Sequence, residues 1–528
     1  MLRFLLLLLS ILLAAPAAAQ DADPIIDSIK ALDQASADYQ AIDSAFNERA
    51  TSSEAQALKD RATTVKQTAA TQVTALQAQL QLVDARAAQL GPVTPGVVEA
   101  PDIRAQRTLL AQQRSTVDSA IKRGKLLGTE ADQLATEIGQ SQTDAFSERM
   151  SVRVASPLSG QFWRSLFHWL PRDSRRLSVF FRMETGAIGQ GVRTGDWGMA
   201  LLGLVAALAL LGPIRLLLRN AGRRYVIERV PGNRIRRSGL ALWLAIIGTL
   251  VPGLAAVSFV AGLRSAGMIA PAWDRLANRF ELASLIAALI TALGGALLQR
   301  RQSSWRLIGI SDETANSLRP WTFAASGMTL LSVPLAALYD GMGASGPARA
   351  AVDAVAALLY IALVLGILVS GARIRARIVR AADEERGDQS VIAFLSLTAW
   401  GVLALSVVSL LSGYIAFAYF LAGFMVWIAA IAASLYLLLI AVDDICSTLF
   451  DRDGKLADAF QHGFGVRRSL VDQFGVALSA LLRLLLILLA IGMVTRPFGS
   501  DVSTIFGQIS RIAQGVTIGQ VTISPGAI

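Results

Sequence analysis

The sequence predicts an all-α polytopic membrane protein with eight transmembrane helices and an N-terminal periplasmic helical hairpin, a coiled-coil-like arm. Three observations predict it. The 528 residues are 53% hydrophobic and 17% charged, with a mean hydropathy of +0.50, whereas soluble domains run nearer a quarter charged. Eight mostly apolar segments lie beyond residue 196, each long enough for a hydrocarbon core of about 30 Å. Arginines cluster at alternate segment ends, as in the cytoplasmic loops of membrane proteins.

The order of elements begins with "MLRFLLLLLSILLAAPAAAQ". Arg3, the apolar run Phe4 to Ala15 and the small residues Ala17 to Ala19 predict a secretory signal over 1–19, cut before Gln20. An uncleaved anchor is the alternative, and in both cases the residues after it are exported. Residues 20–155 form the expected periplasmic helical domain. Leu58, Ala62, Val65, Ala69, Val73, Leu76, Leu80, Val83, Ala87 and Leu90 recur at helical spacing, which places them on one face of a long helix. "GPVTPGVVEAPD" (Gly91 to Asp102) breaks that helix. A second stripe runs through Leu110, Val117, Ile121, Leu127, Leu134 and Ile138, and a shorter helix over Ile25 to Phe46 flanks the pair. Such an arm packs on itself or contacts a periplasmic partner; sequence leaves both open and names no partner.

Residues 156–196 are an aromatic segment and linker. Phe162, Trp163, Phe167 and Trp169 with Arg164 suit a helix lying in the membrane interface, and "GAIGQG" (Gly186 to Gly191) reads as a flexible linker. The transmembrane domain, 197–495, divides into spans near 197–218, 238–261, 280–299, 321–341, 351–372, 391–412, 414–442 and 474–495. "SGY" (Ser412 to Tyr414) supplies the turn between the sixth and seventh. With the N-terminus outside, the four inner loops hold 21 Arg and Lys and the outer segments 6. Merging spans six and seven would move four positive residues outside, so the charge bias supports eight spans. The expected location is a bacterial inner membrane, with the N-terminal domain and the C-terminal segment 496–528 on the periplasmic side.

Chemistry is sparse. The net charge of +10 sits in loop runs and points to a lipid bilayer rather than nucleic acid as partner. One cysteine, Cys446, excludes an intrachain disulfide, and His168 and His462 stand apart, so neither a metal nor a cofactor is expected. "DDICSTLFDRDGKLAD" (Asp443 to Asp458) has carboxylates but lacks the closing Glu of a calcium loop and reads as a solvated inner loop. Catalytic, cofactor and metal residues are therefore none. Arg483, near the middle of the eighth span, is the one charge of expected functional weight, facing other helices or a water-filled crevice, or snorkelling. Glu281 and Asp353 lie closer to span ends. Pro213, Pro252 and Pro334 are candidate kinks, and "ITALGGALL" (Ile290 to Leu298) offers small residues for helix contact.

"PDIRAQRTLLAQQRSTVDSAIKRGKLLGTEADQLATEI" (Pro101 to Ile138), together with "SPLSGQFWRSLFHWLP" (Ser156 to Pro171), resembles the periplasmic domain of large, MscK-like, MscS-type mechanosensitive channel proteins of Gram-negative bacteria. The resemblance continues through "RIRARIVRAADEER" (Arg373 to Arg386) and into "FGQISRIAQGVTIGQVTISPGAI" (Phe506 to Ile528). It implies a signal peptide, a helical periplasmic region and eight accessory spans ahead of a three-span core with a Gly/Ala-rich pore helix and a cytoplasmic vestibule. The core is absent from these residues, so no pore residue carries over. The implied function is not enzymatic: it is the accessory, tension-sensing part of a channel that protects against osmotic downshock, assembled as a homo-oligomer through the core. A polytopic transporter or membrane scaffold with a helical arm is the alternative. In the final segment, Ile505, Ile509, Ile512 and Val516 predict a short interfacial helix before a turn at Pro525-Gly526. On the resemblance, the family's chain continues beyond the point reached by Ile528.

Overall fold

The computed structural model describes residues 24–47, 52–91, 100–194, 197–229, 233–298, 307, 312–381, 389–449, 468–496, 516–518 and 521–523. The expected signal segment lies outside them, as do most of 443–472 and the turn expected at Pro525-Gly526. The chain forms two units that divide after Phe146.

The first unit is built from α1 (Pro24–Asn47), α2 (Ser52–Gln89) and most of α3 (Pro101–Ser151). These segments are rich in Ala, Gln and Leu, which give up little side-chain freedom in a helix. Helix α3 opens on Pro101 with Asp102 in its first turn, both favourable at a helix start. Helix α2 stops where Gly91 takes a φ of 70°, and the Arg107 guanidinium donates to the Gly91 carbonyl at 3.2 Å. The two predicted stripes meet in one core: Leu58, Ala62, Val65, Ala69, Val73 and Leu76 of α2 face Val117, Ile121, Leu127, Leu134 and Ile138 of α3. Helix α1 is part of this core rather than a mere flank, because Leu32, Ala35 and Ile42 are buried in it. Fully buried Ala62, Ala69, Ala120 and Ala131 allow the helices to approach closely.

Among the described residues, the second unit holds eight helices long and apolar enough to cross a membrane, covering 197–225, 235–265, 271–297, 312–341, 346–374, 393–412, 415–448 and 475–495. The first of them consists of α5 (Trp197–Ala209), a π-helical turn (Leu210–Ile214) and α6 (Arg215–Arg229). The others belong to α7 (Asn233–Ser265), α8 (Asp274–Leu297), α9 (Asp312–Gly341), α10 (Gly346–Ala381), α11 (Gln389–Ser412), α12 (Ile415–Leu449) and α13 (Arg468–Thr495). Helix α12 is central and packs against α7, α8, α10, α11 and α13. The expected turn at Ser412 to Tyr414 is present, and Gly413 carries a φ of 95° there.

Proline and glycine have distinct uses in the bundle. Pro213 lies in the π-turn, where the widened helix accommodates a ring that would strike the carbonyl one turn back. Pro252 and Pro334 sit inside α7 and α9 without interrupting them. Gly203 and Gly262 bring the first two spans together: a Cβ on either would lie 2.7 Å from the Cα of the other. In "ITALGGALL", a Cβ on Gly294 would meet Thr322 Oγ1 at 2.7 Å, whereas Gly295 faces open space.

At the far end of the sequence, β1 (Val516–Ile518) and β2 (Val521–Ile523) pair antiparallel, with Val516 opposite Ile523. Val516 therefore belongs to a hairpin and not to the expected helix. Alternating Val, Thr and Ile on both sides of Gly519-Gln520 suit paired strands better than a helix. Ile505, Ile509 and Ile512 lie outside the described residues.

Candidate functional site: a helix strapped across three loops

Helix α4 (Gly160–Thr194) runs through the segment expected to be an aromatic patch and a linker. Its buried and half-buried positions include Phe162, Trp169, Asp173, Arg176, Phe180, Glu184 and Gly191, spaced by three, four or seven residues. One helical face therefore packs down along the whole length. Together with the residues that lead into it, α4 packs on the connections between α7 and α8, between α9 and α10, and between α11 and α12, so these three loops share one end of the bundle.

The chain enters this seat through Val154, whose N–H donates to the Gly413 carbonyl at 3.0 Å. Arg153 Nε donates to the Ser412 carbonyl at 3.1 Å. "SPLSGQFW" then turns the chain into α4. Ser159 N bonds the Ser156 carbonyl at 2.8 Å, Trp163 Nε1 donates to the Pro157 carbonyl at 2.9 Å, and Ser159 Oγ caps the helix by accepting from Phe162 N at 3.3 Å. Phe162, 3% exposed, enters the bundle core with Ala354, Leu410 and Ile415. It is a core residue and not the interfacial one expected from sequence. Trp163 and Phe167 do face outward, at 48% and 62% exposure.

Further along, the buried Asp173 carboxylate accepts from Ser345 N at 3.1 Å and from the Ser345 hydroxyl. Ser345 immediately precedes α10, so the carboxylate lies at a helix N-terminus, where negative charge is favoured. The Arg176 guanidinium donates to the Gly343 carbonyl. Phe180 stacks on Trp273, and its carbonyl accepts from Trp273 Nε1 at 3.0 Å. Glu184 Oε2 accepts from Ala270 N at 2.9 Å. Burial pushes the Glu184 carboxyl above the usual range; the Ala270 N–H opposes that shift and the nearby Asp274 adds to it.

The "GAIGQG" run is the last part of α4 and not a flexible linker. Its glycines have a packing use, because a Cβ on Gly191 would lie 2.6 Å from Met268 Cγ and 2.7 Å from the Ala266 carbonyl. Beside α4 a cavity of about 910 Å³ is lined by His168, Trp169, Arg172, Arg175 and Met183 among others.

Arg483 pairs with Asp443 on the neighbouring helix α12. The sequence places Asp443 in an inner loop, but α12 continues to Leu449 and carries it as a helical residue. Both side chains remain about half exposed, at 43% for Arg483 and 58% for Asp443, so the pair lies at the bundle surface rather than in a sealed interior. Glu281 and Asp353 occur within the third and fifth apolar helices and are half-buried. Asp451 to Asp458 lie outside the described residues. Among the described residues, no three His, Cys, Asp or Glu side chains converge as a metal site would require.

A family model described as a protein of unknown function (DUF3772) matches residues 121–183. The match covers the second half of α3, the Ser156–Ser159 turn and α4 as far as Met183. No curated protein matches the chain.

Proposed function

We propose that this chain is the accessory, tension-responding part of an MscS-type mechanosensitive channel that relieves osmotic downshock. The observation that carries the reading is the strap: α4 and its lead-in are pinned to three separate inter-helix loops at one end of an eight-helix bundle. Bilayer tension favours whichever conformation occupies more in-plane area, and a state is selected by the difference in its interactions. A helix bonded to three loops opposes the spreading of six helix ends. Releasing it couples loop separation to a change in area. The arm and the accessory spans tune that response, and conduction belongs to the family's core.

The test is electrical. Cysteines replacing Asp173 and Ser345, whose side chains touch, in a Cys446→Ala background, bring a cross-link to the strap. In the gene's full-length product, patch-clamped in spheroplasts, oxidation is expected to raise the tension needed for opening, and reduction to restore it. An unchanged threshold with the cross-link formed overturns the reading. Residues 1–528 alone are expected to give no MscS-like conductance, and a conductance would assign the pore to these spans. Coupled uptake of a solute by proteoliposomes would favour the transporter alternative.

A further inference from the structure

At the bundle end opposite the strap, a groove of about 840 Å³ opens between the first four apolar helices. Arg215, Arg219 and Arg223, one turn apart on α6, line one wall, and Arg319 of α9 lines another. Among the described residues, no carboxylate lines the groove. Arg215 and Arg319 sit at a similar depth, with Arg219 and Arg223 about 6 and 12 Å further toward the end of the bundle. Arg215 lies eighteen residues beyond Trp197, about 27 Å of helix, and Arg319 precedes Gly341 by twenty-two, about 33 Å. Both therefore lie near the edge of a hydrocarbon layer about 30 Å thick.

Apart from Asn220, Thr291 and Thr322, the rest of the lining is apolar or glycine, including Leu240, Leu244 and Ile247 of α7, Ala292 of α8 and Phe323 of α9. Gly295 borders the open space of this floor, where a Cβ would meet nothing within 4 Å. The π-turn immediately before Arg215 shifts the helical register, and such turns re-aim the residues beyond them. A loop that needed arginines only to set its orientation would not require them to converge, across two helices, on a cleft with an apolar floor.

We propose that this groove binds an anionic glycerophospholipid, with its phosphate held by the arginine fork geometry and an acyl chain running down past Leu244 and Phe323. Basic pockets between membrane helices suit such headgroups. The apolar floor selects a lipid over a soluble phosphate. This proposal is independent of the channel reading, because it requires only the bundle.

Native mass spectrometry of the full chain in detergent tests it, with phosphatidylglycerol, phosphatidylcholine of equal chain length and inorganic phosphate as probes. Phosphatidylglycerol is expected to bind about tenfold more tightly than phosphatidylcholine, and Arg219→Gln/Arg319→Gln to abolish that preference. Gly295→Leu fills the floor while leaving every charge in place, and it is expected to weaken phosphatidylglycerol about tenfold. It also keeps the test decisive if the double variant does not fold. Equal binding of the two lipids, a preference that survives Arg219→Gln/Arg319→Gln, phosphatidylglycerol binding unchanged in Gly295→Leu, or displacement of phosphatidylglycerol by equimolar inorganic phosphate overturns the proposal.

Discussion

Trp273 donates its indole N–H to the Phe180 carbonyl at 3.0 Å while the two rings stack with centroids 4.9 Å apart. A single side chain of the α7–α8 connection thus holds α4 by both a polar and an apolar contact. Trp273→Phe removes the hydrogen bond and keeps a ring, so it is expected to cost about 1 kcal/mol. Phe180→Ala empties a buried position and is expected to cost about 3 kcal/mol. Hydrogen exchange over residues 160–193 checks both, with Phe180→Ala exchanging faster than Trp273→Phe and both faster than the parent. The reverse order would mean that the polar contact dominates.

Gly413 is the tightest point of the seat. Its φ of 95° belongs to a region that L side chains rarely adopt, and a Cβ there would lie 2.0 Å from the Val154 carbonyl. Gly413→Ala must therefore move the Arg153–Val154 segment away or distort the turn, at a cost of about 1–3 kcal/mol for the backbone conformation alone. Protease cleavage between residues 151 and 160 is expected to accelerate in this variant and to remain unchanged in Gly401→Ala, where a Cβ meets nothing within 4 Å.

Legibility in the sequence varies with the range of the interactions. Spans and arm stripes come from local periodicity, so Leu58 to Leu76 and the turn at Gly413 can be read directly. The strap cannot. Glycine in a helix interior costs about 1 kcal/mol relative to alanine, so "GAIGQG" looks like a linker until Gly191 is seen against Met268 and Ala266. Phe162 looks interfacial beside Trp163 and Phe167, which face outward; only the register of the helix separates them. The one usable signal is the spacing of Phe162, Trp169, Asp173, Arg176, Phe180 and Glu184, which runs at helical intervals through an apparently polar stretch. Asp443 gives no local sign of its role because its partner Arg483 is forty residues away.

Glu184 makes the strap sensitive to pH. Its folded-state carboxyl titrates above its ordinary value because burial disfavours the charge. Between the unfolded and the folded values the folded state holds more protons, so stability falls as pH rises through that window and levels off above it. Mild acid is thus expected to stabilise α4 in its seat by relieving the cost of burying the charge, although the Ala270 N–H itself favours the carboxylate. Glu184→Gln keeps an oxygen for the Ala270 N–H and removes the titration. Exchange protection of residues 180–191 measured from pH 4 to 8 is expected to decline in the parent and to stay flat in Glu184→Gln. A parallel decline in both would assign the effect to another group.

The Arg483–Asp443 pair yields the sharpest energetic prediction, because its two charges belong to neighbouring apolar helices. Removing one partner leaves the other charge alone in or beside hydrocarbon, where an isolated ionic side chain costs about 2.5–3.5 kcal/mol. Removing both leaves neither. Arg483→Leu and Asp443→Leu are therefore each expected to lower thermal stability in detergent by about 2–3 kcal/mol, and the double variant by less than either alone. The sign of the interaction term decides the matter. Additive losses would mean that each charge is solvated separately, at a snorkelling depth, and that the pair contributes no coupling between α12 and α13. A coupling above about 1 kcal/mol would make it a tie between those helices. Arg483 would then have the packing role that its isolation in the sequence concealed.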